Sequence, residues 1–237
     1  MAEEGNGAIK TGGKAVLRLV AFKSPDINAS LFSEQNGGSC LEAGFAENVH
    51  ESHQGKIRID VTSQPALRSD QLMDALVGGD IDLGEASSEE AADLVVFSVQ
   101  PDSVDMENDP DTFRENLRTA IRHVKEHSGA HIIVLNASNI DPEELTFNYS
   151  RVDVTLPERI RRLNLALVNL SIDEGISIID VDRIVAQLGA ANHVNGVVDY
   201  SCEASQVIGD EFLRIVEDIG FFEERPLLMQ RGRGAQV

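Results

Sequence analysis

Residues of the types that act as nucleophiles, bases and oxyanion donors stand where candidate strands end. Ser24 follows the apolar run 15–22 (AVLRLVAF). A serine at such a place acts as a nucleophile when a base lies beside it. Pro25 comes directly after it and suits the first position of a helix, so Ser24 is also a good helix N-cap. The residues themselves leave both interpretations open.

A second polar group, from Gln100 to Ser103, follows the run 93–99 (DLVVFSV). It offers an amide, the carboxylate of Asp102 and a hydroxyl. Polar groups at a strand end often orient substrates or donate to an oxyanion. Pro101 and Asp102 also make ordinary turns, which is the alternative interpretation.

A third group, Asp199 and Cys202, lies just before the last predicted helix. The partial positive charge of a helix N-terminus lowers a thiol pKa, which makes Cys202 a candidate reactive thiol. The alternative is a small buried residue, because free cysteine is among the most buried residue types. His193 precedes Asp199 and is the candidate base, with a plain loop residue as its alternative.

Metal ligands do not converge in the sequence. His123 and His127 have a chelating spacing on one predicted helix, but they lie off its apolar stripe, which favours a solvated face. No CxxC pair or zinc-type spacing occurs. The sequence therefore predicts neither a metal nor a cofactor.

The elements that must position these residues alternate along the chain. Short runs rich in β-branched and aromatic residues predict strands over 15–22, 56–62, 93–99, 131–137 and 176–181. Helical spacing of apolar residues predicts helices over 69–77, from Pro110 to a cap at Gly129, over 156–174 and over 204–219. This alternation predicts a parallel sheet covered on both faces, a three-layer α/β/α architecture. Ligands sit at the carboxyl ends of such strands.

Length and charge limit the function classes. The 237 residues suit one domain, predicted over 14–222, with loose tails over 1–13 and 223–237 and long loops over 23–55 and 138–155. The net charge of −20 repels phosphate backbones and anionic membranes, which disfavours nucleic-acid and membrane partners. No run is long enough to span a membrane and the N-terminus lacks a secretory signal. We therefore expect a cytoplasmic chain with both cysteines reduced.

In their order along the chain, these loops resemble the motifs of the SGNH/GDSL hydrolases, a superfamily of esterases and acyl-transfer enzymes. Ser24 matches the nucleophilic serine of the first motif, although the Gly-Asp before it is replaced by Phe22 and Lys23. The loop 63–67, at the second motif, lacks the oxyanion glycine. The strand DLVVFSV matches the third motif. There Gln100 replaces a glycine, and Asp102 replaces the oxyanion asparagine.

The last family motif is Asp-x-x-His before the final helix. Asp199 matches it, and Cys202 stands where the histidine should be. The resemblance covers residues 15–220 and implies the flavodoxin-like SGNH hydrolase fold, a five-stranded parallel sheet. It also implies a damaged site, because a serine without a base does not attack at neutral pH. Asp102 would bring negative charge to the place where negative charge develops.

We therefore predict an SGNH/GDSL-hydrolase-like protein with a degenerate active site, a non-catalytic binding or scaffolding module. Its expected partners are a small-molecule or acyl ligand, another protein, or a second copy of the chain. The alternative is an esterase or acyltransferase with a rebuilt site of Ser24, Asp102, Asp199 and Cys202, in which His193 supplies the base. A third hypothesis places thiol or metal chemistry at Cys202.

Overall fold

Five parallel strands form the centre of the molecule. The computed structural model describes residues 15–24, 27, 31, 45–88, 90–104, 109–138, 155–190, 194–195 and 199–222. The strands are β1 (Ala15–Lys23), β2 (Ile57–Pro65), β3 (Leu94–Ser98), β4 (His131–Leu135) and β5 (Ser177–Ile179). They lie in the order β2-β1-β3-β4-β5, and every neighbouring pair is parallel. This confirms the predicted five-stranded parallel sheet.

Helices connect these strands, and a short antiparallel ladder precedes the last helix. The helices are α1 (Phe45–Ser52), α2 (Ser69–Val77), α3 (Gln100–Val104), α4 (Pro110–His127), α5 (Leu156–Glu174), α6 (Val181–Leu188) and α7 (Cys202–Asp218). The ladder joins β6 (Val194–Asn195) to β7 (Asp199–Tyr200).

Side chains of successive strand residues point to opposite faces of the sheet, and each face has its own apolar cluster. Val20 and Phe22 of β1 pack with residues of α2, α4 and α5 on one face. Leu19 and Ala21 pack with residues of α1, α6 and α7 on the other. The molecule is thus a three-layer α/β/α domain, as the sequence predicted.

Local chemistry explains where the helices begin and end. The Asp109 side chain accepts hydrogen bonds from the backbone N–H groups of Asp111 and Thr112, and so caps α4. Gly175 ends α5 with φ 61°, a left-handed conformation that a side chain disfavours. Both helix ends lie where the sequence pattern predicted them.

Two predictions about elements were wrong. The stretch 23–55, predicted as a loop, contains α1, because Phe45 and Val49 bury one helical face and Phe45 meets Phe212 edge-on at 4.6 Å between ring centroids. The strand predicted over 176–181 is shorter, and Val181 already begins α6. Its cap is the Asp180 side chain, which accepts a hydrogen bond from the Arg183 backbone.

Some predictions concern residues that lie outside the described ones. These are the tails 1–13 and 223–237, the loop residues 139–154, Cys40 and His193. Among the described helices, none is both long and apolar enough to cross a membrane.

Candidate functional site

Ser24 lies directly after β1, at the carboxyl edge of the sheet. Ser24 is only 1% exposed to solvent. Its backbone N–H donates to the Phe22 carbonyl at 2.8 Å. Its Oγ has no hydrogen-bond partner among the residues that the structure describes. A nucleophilic serine needs a base within hydrogen-bond reach, and none of the described side chains supplies one.

Asp102 lies in α3, which follows the neighbouring strand β3, and its carboxylate is buried. The Ser69 backbone N–H donates to both carboxylate oxygens at 3.1 Å, and Ser69 Oγ donates to one of them at 2.6 Å. Burial raises the pKa of Asp102 to about 6, although the Ser69 hydrogen bonds and the Arg159 charge act against this shift. The carboxylate thus stabilises the first turn of α2 and is not open to a substrate.

Gln100 holds the loops after β3 and β4 together. Its Nε2 donates to Ser103 Oγ at 3.1 Å, and its Oε1 accepts from the Ser138 backbone N–H at 2.9 Å. Ser138 Oγ in turn lies 2.6 Å from the Tyr200 hydroxyl. All four residues are buried. The amide that the sequence suggested for a substrate therefore makes internal hydrogen bonds.

The loop after β4 is fixed to the rest of the carboxyl edge in the same way. Asn136 Nδ2 donates to an Asp180 carboxylate oxygen at 2.8 Å, and Asn136 Oδ1 accepts from the Asp182 backbone at 3.2 Å. The Asn164 amide exchanges two hydrogen bonds with the Ala137 backbone, at 3.0 and 2.8 Å. These bonds connect the loop after β4 to α5 and to the start of α6.

The last candidate group does not supply a thiol. Cys202 is the exposed first residue of α7, and it is disulfide-bonded. The expectation of a reduced, reactive Cys202 is therefore not met, because a disulfide sulfur carries no thiolate. Asp199 belongs to β7, and its side chain lies outside the described structure, as His193 does.

Sequence reasoning missed three residues of this region: Ser69, Arg159 and Tyr200. Arg159 is buried in α5, and its Nη2 donates to the Asp102 carbonyl at 3.0 Å. Its position was a usable signal, since Arg159 lies three residues after Leu156 and four before Leu163, on the apolar stripe of the helix. In the described part of the chain, no group of three or more histidine, cysteine or acidic residues is placed to hold a metal ion.

Several solved structures share this architecture. A GDSL-like lipase of Parabacteroides merdae has a TM-score of 0.59 at 12% identity, over 87% of this chain and 97% of its own. A member of the lipolytic G-D-S-L family from Veillonella parvula has a TM-score of 0.56 at 11% identity, over 86% and 98%. The lipase/acylhydrolase of Enterococcus faecalis has a TM-score of 0.55 at 14% identity, over 86% and 96%.

The chain therefore has the fold of the SGNH/GDSL hydrolases, and the fold that the motif resemblance implied is confirmed. No family model matches the chain, and no curated protein matches it. Fold alone does not establish activity, so activity has to be argued from the residues of the site.

Proposed function

We propose that this protein is a non-catalytic binding module on an SGNH/GDSL hydrolase fold. The observation that carries the proposal is the state of Ser24, the residue at the position of the family nucleophile. It is 1% exposed, and its Oγ has no hydrogen-bond partner among the described residues. An isolated, sealed hydroxyl is a poor nucleophile at neutral pH.

The other replaced motif residues support the same proposal. Cys202 stands in the place of the family histidine and is disulfide-bonded, so it cannot accept a proton from Ser24. Asp102 stands in the place of the oxyanion asparagine and accepts hydrogen bonds from Ser69. An oxyanion donor contributes about two to three powers of ten in rate, and a carboxylate at that position donates nothing while ionised.

The test is hydrolysis of a short activated ester, para-nitrophenyl butanoate, by the full chain. Ser24→Ala removes the candidate nucleophile, and Ser63→Ala, an exposed serine at the end of β2, is the matched control. We expect the same rate for all three proteins, equal to the rate without protein. Turnover that survives in Ser63→Ala and disappears in Ser24→Ala would overturn the proposal and establish a rebuilt serine esterase.

Binding is measured separately from turnover. A ligand that binds only the folded chain stabilises it by about 2.7 kcal/mol at 100 times its Kd. We expect the thermal midpoint to rise with butanoate or with longer acyl acids, equally in the wild-type chain and in Ser24→Ala. If no acyl compound raises the midpoint, the hypothesis of an acyl ligand is excluded, and a protein partner remains the expected ligand of the module.

A further inference from the structure

Helix α5 exposes an apolar stripe on its outward face. Leu165 is 62% exposed, Val168 46% and Ile172 77%. With Arg161 before them, these residues follow one another at intervals of four, three and four along the helix. Intervals that alternate between three and four keep side chains on one line of a helix, which is the seam by which two helices pack together.

The surface that carries this stripe is balanced in charge, unlike the rest of the chain. The sequences of α4 and α5 together contain seven basic and six acidic residues, whereas the whole chain has 20 basic and 40 acidic residues. The two helices pack side by side, since Arg118 and Arg122 of α4 pair with Asp173 and Glu174 of α5. A second copy of so acidic a chain therefore meets less repulsion here than the net charge of the whole chain would suggest.

Charges beside the stripe are arranged so that the surface complements itself. Arg162 and Asp173 are eleven residues apart, which is close to three helical turns, so they lie on the same side of the stripe. Val168 lies close to their midpoint, six residues after Arg162 and five before Asp173. An antiparallel α5 from a second copy, centred on Val168, therefore places Arg162 opposite the partner's Asp173, and the reverse contact follows by symmetry.

Both of these side chains remain accessible. Arg162 is 51% exposed while paired with Glu158 at 2.5 Å, and Asp173 is 54% exposed while paired with Arg118 at 3.1 Å. A guanidinium has five N–H donors and a carboxylate accepts about four hydrogen bonds, so each group retains capacity for a contact across an interface.

We propose that two copies of this chain associate through antiparallel packing of their α5 helices, about a two-fold axis near Val168. Leu165 then packs against the partner's Ile172, and Arg162 faces the partner's Asp173. One helix pair buries less than the roughly 1,600 Å² of a standard interface, so the dimer depends on concentration.

The first experiment measures the mass of the full chain by light scattering and sedimentation up to about 1 mM, where even a Kd of that size leaves much dimer. It is run at about 0.15 M and about 1 M salt, because screening weakens the repulsion between two acidic chains. We expect the mass to rise toward twice the monomer value, and the rise to begin at lower concentration in high salt. A monomer mass throughout, at both salt concentrations, overturns the proposal.

Two variants locate the contact. Leu165→Lys with Ile172→Lys places charge in the seam at exposed positions, so the fold is kept and the dimer is lost. The control is Val77→Lys, an apolar residue that is 55% exposed on α2, where dimerisation stays unchanged. Loss of the dimer in the control, or its survival in the double variant, contradicts a contact through α5.

A charge exchange tests the antiparallel geometry. Arg162→Asp and Asp173→Arg each set like charges opposite one another and should weaken the dimer at about 0.15 M salt, while the two changes together restore it. Thermal unfolding of each variant separates this result from the loss of the internal pairs with Glu158 and Arg118. If the double variant dimerises no more tightly than the single variants, this pairing of Arg162 with the partner's Asp173 is ruled out.

Discussion

The ends of β1 and β3 are neighbours at one edge of the sheet, and they treat buried polar groups in opposite ways. At the end of β1, Ser24 Oγ is buried with no partner among the described residues. At the end of β3, Asp102 and Gln100 are equally buried, but both are held by hydrogen bonds. Among the described residues, one end therefore has a hydroxyl without a hydrogen-bond partner, whereas the polar groups of the other end hydrogen-bond to neighbouring elements.

Under the proposed non-catalytic function, this difference is the one between a serine kept at the nucleophile position and polar groups that now hold the structure together. A buried donor without a partner destabilises a protein by about 1–3 kcal/mol, so we expect the Ser24 hydroxyl to lower the stability of the folded chain. Hydrogen bonds from Ser69 to Asp102 instead join the loop after β3 to the first turn of α2. We therefore propose that the polar groups after β3 serve the structure and that Ser24 after β1 is not activated.

The largest expected effect concerns the charge of Asp102. Burial raises the pKa of this carboxyl from 3.8 to about 6 in the folded chain. Between these pH values the folded state holds a proton that the unfolded state has released, so stability falls as pH rises. The loss reaches about 3 kcal/mol, since one pKa unit corresponds to about 1.4 kcal/mol. We expect the free energy of unfolding of wild type, relative to Asp102→Asn, to fall by about 2 kcal/mol from pH 4 to pH 6, with the rest of the loss below and above this range.

A second variant sharpens this prediction. Ser69→Ala removes the hydroxyl that donates to the ionised carboxylate, so the pKa of Asp102 rises further and the loss extends above pH 6. Urea unfolding across the pH range measures both effects. Parallel pH profiles for wild type and Asp102→Asn would contradict the account, because they would show that Asp102 titrates as an exposed group.

The smaller effect compares two buried serines. Ser24→Ala removes an unsatisfied hydroxyl and should raise the free energy of unfolding by about 1 kcal/mol. Ser103→Ala removes a hydroxyl that donates to the Gln100 carbonyl and accepts from its Nε2, and should lower it by about 1–2 kcal/mol. Equal losses in the two variants would show that Ser24 Oγ has a partner after all and would remove the contrast between the strand ends.

The sequence predicted the elements well where apolar periodicity dominates. β3 occupies Leu94–Ser98 of the predicted strand DLVVFSV, and all five of its residues are buried. The helices over 69–77 and 156–174 have the predicted bounds. The short helix α3 was not predicted, because a turn of five residues has too little periodicity to be recognised.

The contacts of the site could not be predicted, because they join residues far apart in the chain. Ser69 and Asp102 are separated by 33 positions, and Ser138 and Tyr200 by 62. Sequence patterns placed Ser24, Gln100 and Asp102 at strand ends correctly. Which of them would find a hydrogen-bond partner depends on how the loops meet, and a local pattern contains no such information.

The central claim is that Ser24 is not activated, and covalent labelling tests it most directly. In a fluorophosphonate, the oxygen of an activated serine displaces fluoride from phosphorus and leaves the protein heavier by one phosphonyl group. We predict an unchanged intact mass for the full chain, under conditions in which a serine esterase run in parallel is fully labelled. A single adduct that is absent from Ser24→Ala and present in Ser63→Ala would contradict the account, because it would show a working serine nucleophile at the end of β1.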